Sequence, residues 1–450
     1  MAGNITNLSE ASSAAIRTAL SNMRSTYNAR NAWINTAGNR YIADALGQLK
    51  SDFRNGTIDN RAITDYVASS ICIHCFNGWS YLSTAVTALL EGDYGNAIHN
   101  AYYAELRTMM SFLATQGIGV FDGQNVLIDQ AGVAKFATPH LRTHVFAKTA
   151  FDQWLNTPGN SESLLKLLVI ENYSLDDWLN STGFSPASEL PGKVAKGWFK
   201  DWSVDLSIIE DEQQIRNFVS YRPQCFDESI PRLSDNVETR LQFIAELWKL
   251  CAPEKLFDHS ILRTTLEVLY KELFDTNLLY LDVNNDWKRH LTDLGMNPND
   301  QSSQYLINFF RRQIEPANNQ VFDRAKNITF NVPVQESDTE PMGIISRACL
   351  LLLITTKVIE TIMRQTGTSR ANLQFWYSNI GLKTGYWESG NEPALFSDLW
   401  LDVEEELGDL KSWLNSPGAI RSPYTLQRDL RKRIPHINQL SRAYLWGIGA

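Results

Sequence analysis

The sequence predicts an all-α fold, and three observations predict it. Apolar residues recur every three or four positions through most of the 450-residue chain. The periodic stretches stop at Gly or Pro, as helices do. Only two short segments, 117–129 and 327–335, alternate with the period of a strand.

Taken in order, residues 9–53 carry a Ser-rich cap region followed by helical spacing. "ITDYVASSICIHCFNGWSYLSTAVTALLEGD" (63–93) is a second helix, ended by Gly92-Asp93. "GNAIHNAYYAELRTMMSFLATQG" (95–117) is a third, closed by Gly117. A connection of only a few residues forces the last two into an antiparallel pair, with Tyr102 or Tyr103 facing its interior. In "GIGVFDGQNVLID" (117–129) Asp122-Gly123 lies between short apolar runs, the mark of a small β-hairpin. Helical period returns in 142–156 and again in 161–181, and "STGFSPASELPGK" (181–193) is a loop. "EDEQQIRNFVSYRP" (210–223) is a further helix stopped by Pro223.

A second helical block runs from about Leu233, including 238–251 and 261–281. "NITFNVPVQ" (327–335) alternates like a strand, but Pro333 confines it to an edge or loop. "ACLLLLITT" (348–356) is shorter than the roughly 20 residues of a membrane span, so a buried core helix is expected and no membrane contact. "LWLDVEEELGDLKSWLN" (399–415) is an acidic amphipathic helix.

Hydrophobic residues make up 44% of the chain and charged ones 20%, an ordinary globular balance. The formal charge of −9 disfavours coating nucleic acid through bulk basic charge, but leaves room for a local basic pocket. The N-terminus has neither a basic region nor an apolar core, so no signal peptide is expected and the setting is cytoplasmic. Five scattered cysteines fit free thiols in a reducing compartment. The cluster "CIHC" has no second ligand pair at zinc spacing, so Cys72 and Cys75, three residues apart on one helix face, are expected in the core. No metal and no cofactor is expected. Phosphate-binding glycine loops, HExxH and GxSxG are all missing, which leaves nucleotide-loop enzymes, zincins and α/β-hydrolases unsupported.

Two segments carry a resemblance. "GDYGNAIHNAYYAELRTMMSFLATQGIGVF" (92–121) has Ala101-Tyr102-Tyr103-Ala104, then Arg107, an apolar run and Gly117-Ile118. "RNFVSYRP" (216–223) has an Arg-Asn pair, with a Tyr five positions after the Arg. In this order they resemble the core of HEPN-type helical domains, including the YaaC-like branch, over roughly residues 70–225. The resemblance implies an HEPN-like bundle at 1–232, with a second helical domain at 233–450. It also implies a metal-independent endoribonuclease, in which Arg steadies phosphate and a His moves a proton while the RNA 2′-hydroxyl attacks. Two copies, or one copy and a partner, would share the cleft. Carried over, Arg216 and Asn217 match the signature and Tyr221 stands where His is expected. Arg222 and Arg107 are the accompanying cations for RNA.

Tyr, with a usual pKa near 10, is a poor base, so the resemblance supports contact with RNA or nucleotide more than efficient cleavage. His140 and His144 would supply a base if they folded near Arg216. Against any site, Glu212 and Arg216 form a favourable helical ion pair, and Arg222 sits well at a helix C-terminus. "RKRIPH" (431–436) fits the nuclease spacing literally, but Pro435 breaks the required helix, and a solvated basic tail is expected there. Two functions follow. The first is an HEPN-like component of a bacterial toxin or anti-phage system that contacts RNA or nucleotide, its nuclease activity degenerate or dependent on a partner. The second is a non-catalytic interaction subunit that uses its aromatic helices and the acidic helix.

Overall fold

In the computed structural model, α1 (Ser13–Met23), α2 (Ala45–Asn55), α3 (Asn60–Glu91) and α4 (Tyr94–Thr115) open the chain. The structure describes residues 4–34, 38–181, 190–201, 217, 237–253, 256–275, 283–314, 319–326, 341–417 and 421–449. The long helical stretch expected over 9–53 is interrupted. α1 begins where Ser12 accepts the Ala14 N–H, and a short turn of helix at Tyr27–Arg30 ends on Asn31 in the left-handed region (φ 50°). α2 starts afresh, with Asp44 accepting the Gly47 N–H.

The predicted helical hairpin is present. Asp59 caps α3, Gly92 ends it at φ 79°, and Asp93 caps α4 by accepting the Asn96 N–H. Glycine is needed at 92 because L side chains rarely adopt that backbone. Tyr102 faces inward and is 2% exposed.

After α4 comes an antiparallel meander of β1 (Ile118–Gly119), β2 (Val126–Ile128) and β3 (Ala134–Phe136). Ile118 pairs with Leu127 and Gly119 with Val126, and Gly123 (φ 76°) sits in the intervening turn. The hairpin was legible from Asp122-Gly123; the third strand, paired Val126 to Phe136, was not.

α5 (Thr143–Asn156) and α6 (Asn160–Leu167) follow. The helical period expected across 161–181 is broken by β4 (Val169–Ile170) and β5 (Tyr173–Ser174), which precede α7 (Leu175–Asn180). Val-Ile and Tyr-Ser prefer a pleated backbone, and Glu171 and Asn172 turn the chain with φ 50° and 69°. Of the loop expected at 181–193, residues 182–189 lie outside the described residues, and its last part is helical. α8 (Leu190–Asp201) starts inside it, with Pro191 in its first turn, where a missing N–H costs nothing.

The second half contributes α9 (Val237–Cys251), α10 (Leu256–Asp275), α11 (Val283–Asp293), α12 (Gln301–Phe310) and α13 (Gln320–Lys326). It continues through α14 (Pro341–Gln365), α15 (Gln374–Thr384), α16 (Leu399–Leu414) and α17 (Ala443–Gly449). The strand-like segment 327–335 lies outside the described residues.

α14 is the third member of the central bundle, packed along both α3 and α4. Small residues permit the approach: a Cβ on Gly78 would stand 2.9 Å from both Leu352 Cδ2 and Thr108 Oγ1. The stretches on either side of residue 232 therefore share one apolar core. Each aliphatic side chain fully buried there stabilises the fold by about 1.5–3 kcal/mol. Among the described residues α14 alone is long and apolar enough to cross a membrane, yet 89% of its apolar window is buried in protein. A core helix passes the same test of length and composition. Across the α4–α14 contact, Arg347 pairs with Glu105 at 3.2 Å, both nearly inaccessible.

The basic segment 431–436 is solvated only in part: Lys432, Arg433 and Pro435 are exposed, but the segment is anchored to the body. Leu430, Ile434 and Ile437 are buried beside it. His436 donates its backbone N–H to Glu406 of α16, and its Nδ1 lies 2.6 Å from Glu406 Oε1. Arg431 reaches Glu91 at 3.1 Å. The segment is thus tied to the acidic helix through His436 and to α3 through Arg431, contacts that neither stretch discloses alone.

Candidate functional site

Arg216, Tyr221 and Arg222 lie outside the described residues, and of the signature Asn217 alone is described, partly buried. Arg107 is placed. In α4, Tyr103, Leu106, Arg107 and Met110 fall three and four positions apart and therefore form one stripe. That stripe is one wall of a cleft of about 550 Å³. Val120 and Asp122, after β1, form a second wall, and Arg142, Thr143 and His144, at the start of α5, form the third.

Arg107 is half-buried, and its guanidinium has no carboxylate within ion-pair distance among the described residues. Its Nη1 lies 3.4 Å from Nδ1 of His74, the histidine of "CIHC", and its Nε is buried without a partner. Burial, and then the Arg107 charge, push the His74 imidazole down to about 3. His74 is therefore neutral at physiological pH and accepts from the guanidinium instead of adding charge. A cation without a counter-ion at the edge of a cleft is an anion site in waiting.

The other side adds to the positive field. Arg142 is 81% exposed at its side chain and pairs with Asp122 at 2.8 Å. α5 has no side-chain cap, so its first N–H groups and the positive end of its dipole face that edge. His144 is held by a 2.9 Å contact between its Nδ1 and the Tyr102 hydroxyl, with the rings stacked 5.6 Å apart.

Aromatic faces surround the stripe. Tyr103 stacks on Tyr81 at 5.5 Å and touches His99 at 4.9 Å, and Lys148 sits 5.0 Å from the Tyr102 ring. Chemically, the arrangement offers a guanidinium for phosphate, flat rings for a base and an oriented imidazole for proton transfer.

His140 is directed elsewhere, its Nδ1 3.1 Å from the Gly123 carbonyl and its ring against Phe53. Cys72 and Cys75 are buried free thiols, as expected for core residues. No group of three His, Cys, Asp or Glu residues suited to a metal ion occurs among the described residues. Arg142 was missed in the sequence, although "LRTH" opening a helix with no Ser, Thr, Asp or Asn cap was a signal for it. Compared with known proteins, the chain matches no family model, no curated protein and no solved structure.

Proposed function

We propose that the chain contacts RNA or a nucleotide through the cleft at Arg107, as an HEPN-like component of a bacterial toxin or anti-phage system. The observation that carries this is the Arg107 guanidinium, half-buried on a 550 Å³ cleft with no carboxylate in ion-pair range among the described residues. The backbone amides at the α5 start would add donors to a phosphate, and Tyr103 would add a stacking surface. His144 lines the same cleft and would be the proton-transfer group for any cleavage there. Self-association or a partner subunit would complete the site.

The test is binding of a fluorescently labelled single-stranded RNA, followed by anisotropy at fixed ionic strength. A charge-assisted contact is worth about 1.5–3 kcal/mol, so Arg107→Ala should weaken binding roughly ten- to a hundredfold. Arg107→Lys should fall between, because it keeps the charge without the planar fork. An affinity unchanged in Arg107→Ala would end this reading. The interaction-subunit reading would then stand, and it is favoured by Leu395, just before the acidic helix α16, and Leu401 in its first turn, exposed by 60% and 62%.

A further inference from the structure

A second cavity, of about 290 Å³, opens where α14 meets the start of α10 and the end of α17. Phe257, Leu353, Phe396 and Trp446 give it apolar walls, and Asp258, Lys357 and Glu360 form its polar side. The charges there are not evenly satisfied. Lys357 Nζ donates to Asp258 Oδ2 at 2.6 Å but lies 3.8 Å from the Glu360 carboxylate, beyond hydrogen-bond range.

The other cation of the lining, Arg370, is committed elsewhere. It donates to the Ala394 and Pro393 carbonyls at 2.6 and 3.0 Å, and its guanidinium lies 3.8 Å from the centre of the Phe396 ring. Arg364, one turn beyond Glu360 on α14, is exposed to solvent. Glu360 is thus a partly enclosed acceptor that shares Lys357 with Asp258 and holds only the longer side of that pairing. Burial pushes its carboxyl above the ordinary range, against the pull of the Lys357 and Arg364 charges.

We propose that this cavity binds a small aliphatic ammonium, its charged head on Glu360 and its hydrocarbon against Phe257, Leu353 and Trp446. The chemistry selects the class. Two carboxylates, Asp258 and Glu360, share the one lysine of the lining, so the polar side is short of donors and of positive charge. A cation is therefore preferred, and the aromatic and aliphatic walls require the rest of the ligand to be apolar. A carboxylate ligand would meet Glu360 and Asp258 with both local cations occupied. A neutral alcohol would gain the walls and one weaker hydrogen bond.

The experiment is isothermal titration of the full chain with n-pentylammonium, n-pentanol and pentanoate at neutral pH. The ammonium should bind about tenfold more tightly than the alcohol, as expected where a charge-assisted contact replaces a neutral one, and pentanoate should not bind measurably. Glu360→Gln should remove that preference and leave pentanol unchanged. Should Glu360→Gln fold poorly, Ala252→Trp fills the lining without touching the charges and should abolish binding of both ligands. Equal binding of ammonium and alcohol, preference for pentanoate, no binding at all, or a preference that survives Glu360→Gln would each overturn the proposal.

Discussion

Thr356 Oγ1 accepts the indole N–H of Trp79 at 3.0 Å and lies 3.5 Å from Cys75 Sγ, where Trp79 and Cys75 are wholly enclosed. Valine has nearly the shape of threonine but no oxygen. Thr356→Val should therefore leave the Trp79 N–H buried without an acceptor, at a cost of about 1–3 kcal/mol. Urea unfolding would measure it, and a midpoint within error of the parent would mean that the indole finds another acceptor. The same group of residues shows what single residues disclose. The spacing of Cys72 and Cys75 on a helix was enough to place both in the core, because a period of 3.6 residues fixes which side chains share a face. Their partner was not legible: Thr356 is 277 positions from Trp79, and nothing local to either residue encodes that contact. The cleft divides in the same way. Arg107 was identified from its own segment, whereas its neutral neighbour His74 and its opposite wall Arg142 depend on how three elements meet.

Elements with strong punctuation were read correctly, and those without it were not. α3 and α4 are bounded by Asp59, Gly92-Asp93 and Gly117, each doing a job that only its residue type does well. β4 and β5 were absorbed into a helix because Glu171-Asn172 lacks the glycine that usually marks a two-residue hairpin. The pairing of Ile170 with Tyr173 and two successive positive φ values make it such a turn nonetheless. Asn172 tolerates φ 69° because its short polar side chain can bond locally, whereas a β-branched residue clashes there. Asn172→Val should destabilise the protein by about 1–2 kcal/mol, and Asn172→Gly should be neutral or mildly stabilising. Chemical denaturation of the pair checks this. If both variants unfolded at the same denaturant concentration, the strain argument for this turn would fail. The hairpin also carries Glu171, which lies 3.1 Å from His259 of α10, so a loosened turn should be felt beyond its own strands.

For the whole molecule, the shared core means that acid acts on both halves at once. Two histidines from distant parts of the chain are held as neutral rings, His290 buried and His74 partly so. Burial and the nearby Arg107 hold His74 down to about 3, and burial holds His290, whose Nδ1 contacts Ser181 at 2.6 Å, down to about 4. In the unfolded chain both should titrate near the usual 6.5. Above that value neither state binds the protons, and these residues make stability independent of pH. Below it, the unfolded chain takes up protons that the folded one refuses, so stability falls with falling pH. Each histidine contributes a slope of about 1.4 kcal/mol per pH unit, continuing until its folded value is reached. Carboxylates work the other way: burial raises Asp65 and Glu360, so their contribution is present at low pH and lost as pH rises through their raised values. They should blunt the loss towards the acid end. The prediction is a stability plateau above about pH 6.5 and a decline from there towards pH 4, measured as urea midpoints across that range. His74→Gln and His290→Asn should each flatten the decline, and the double variant should remove most of it. Curves that keep the parent slope in the double variant would show that other groups control the acid response. The neutral state assigned to His74 would then have to be abandoned.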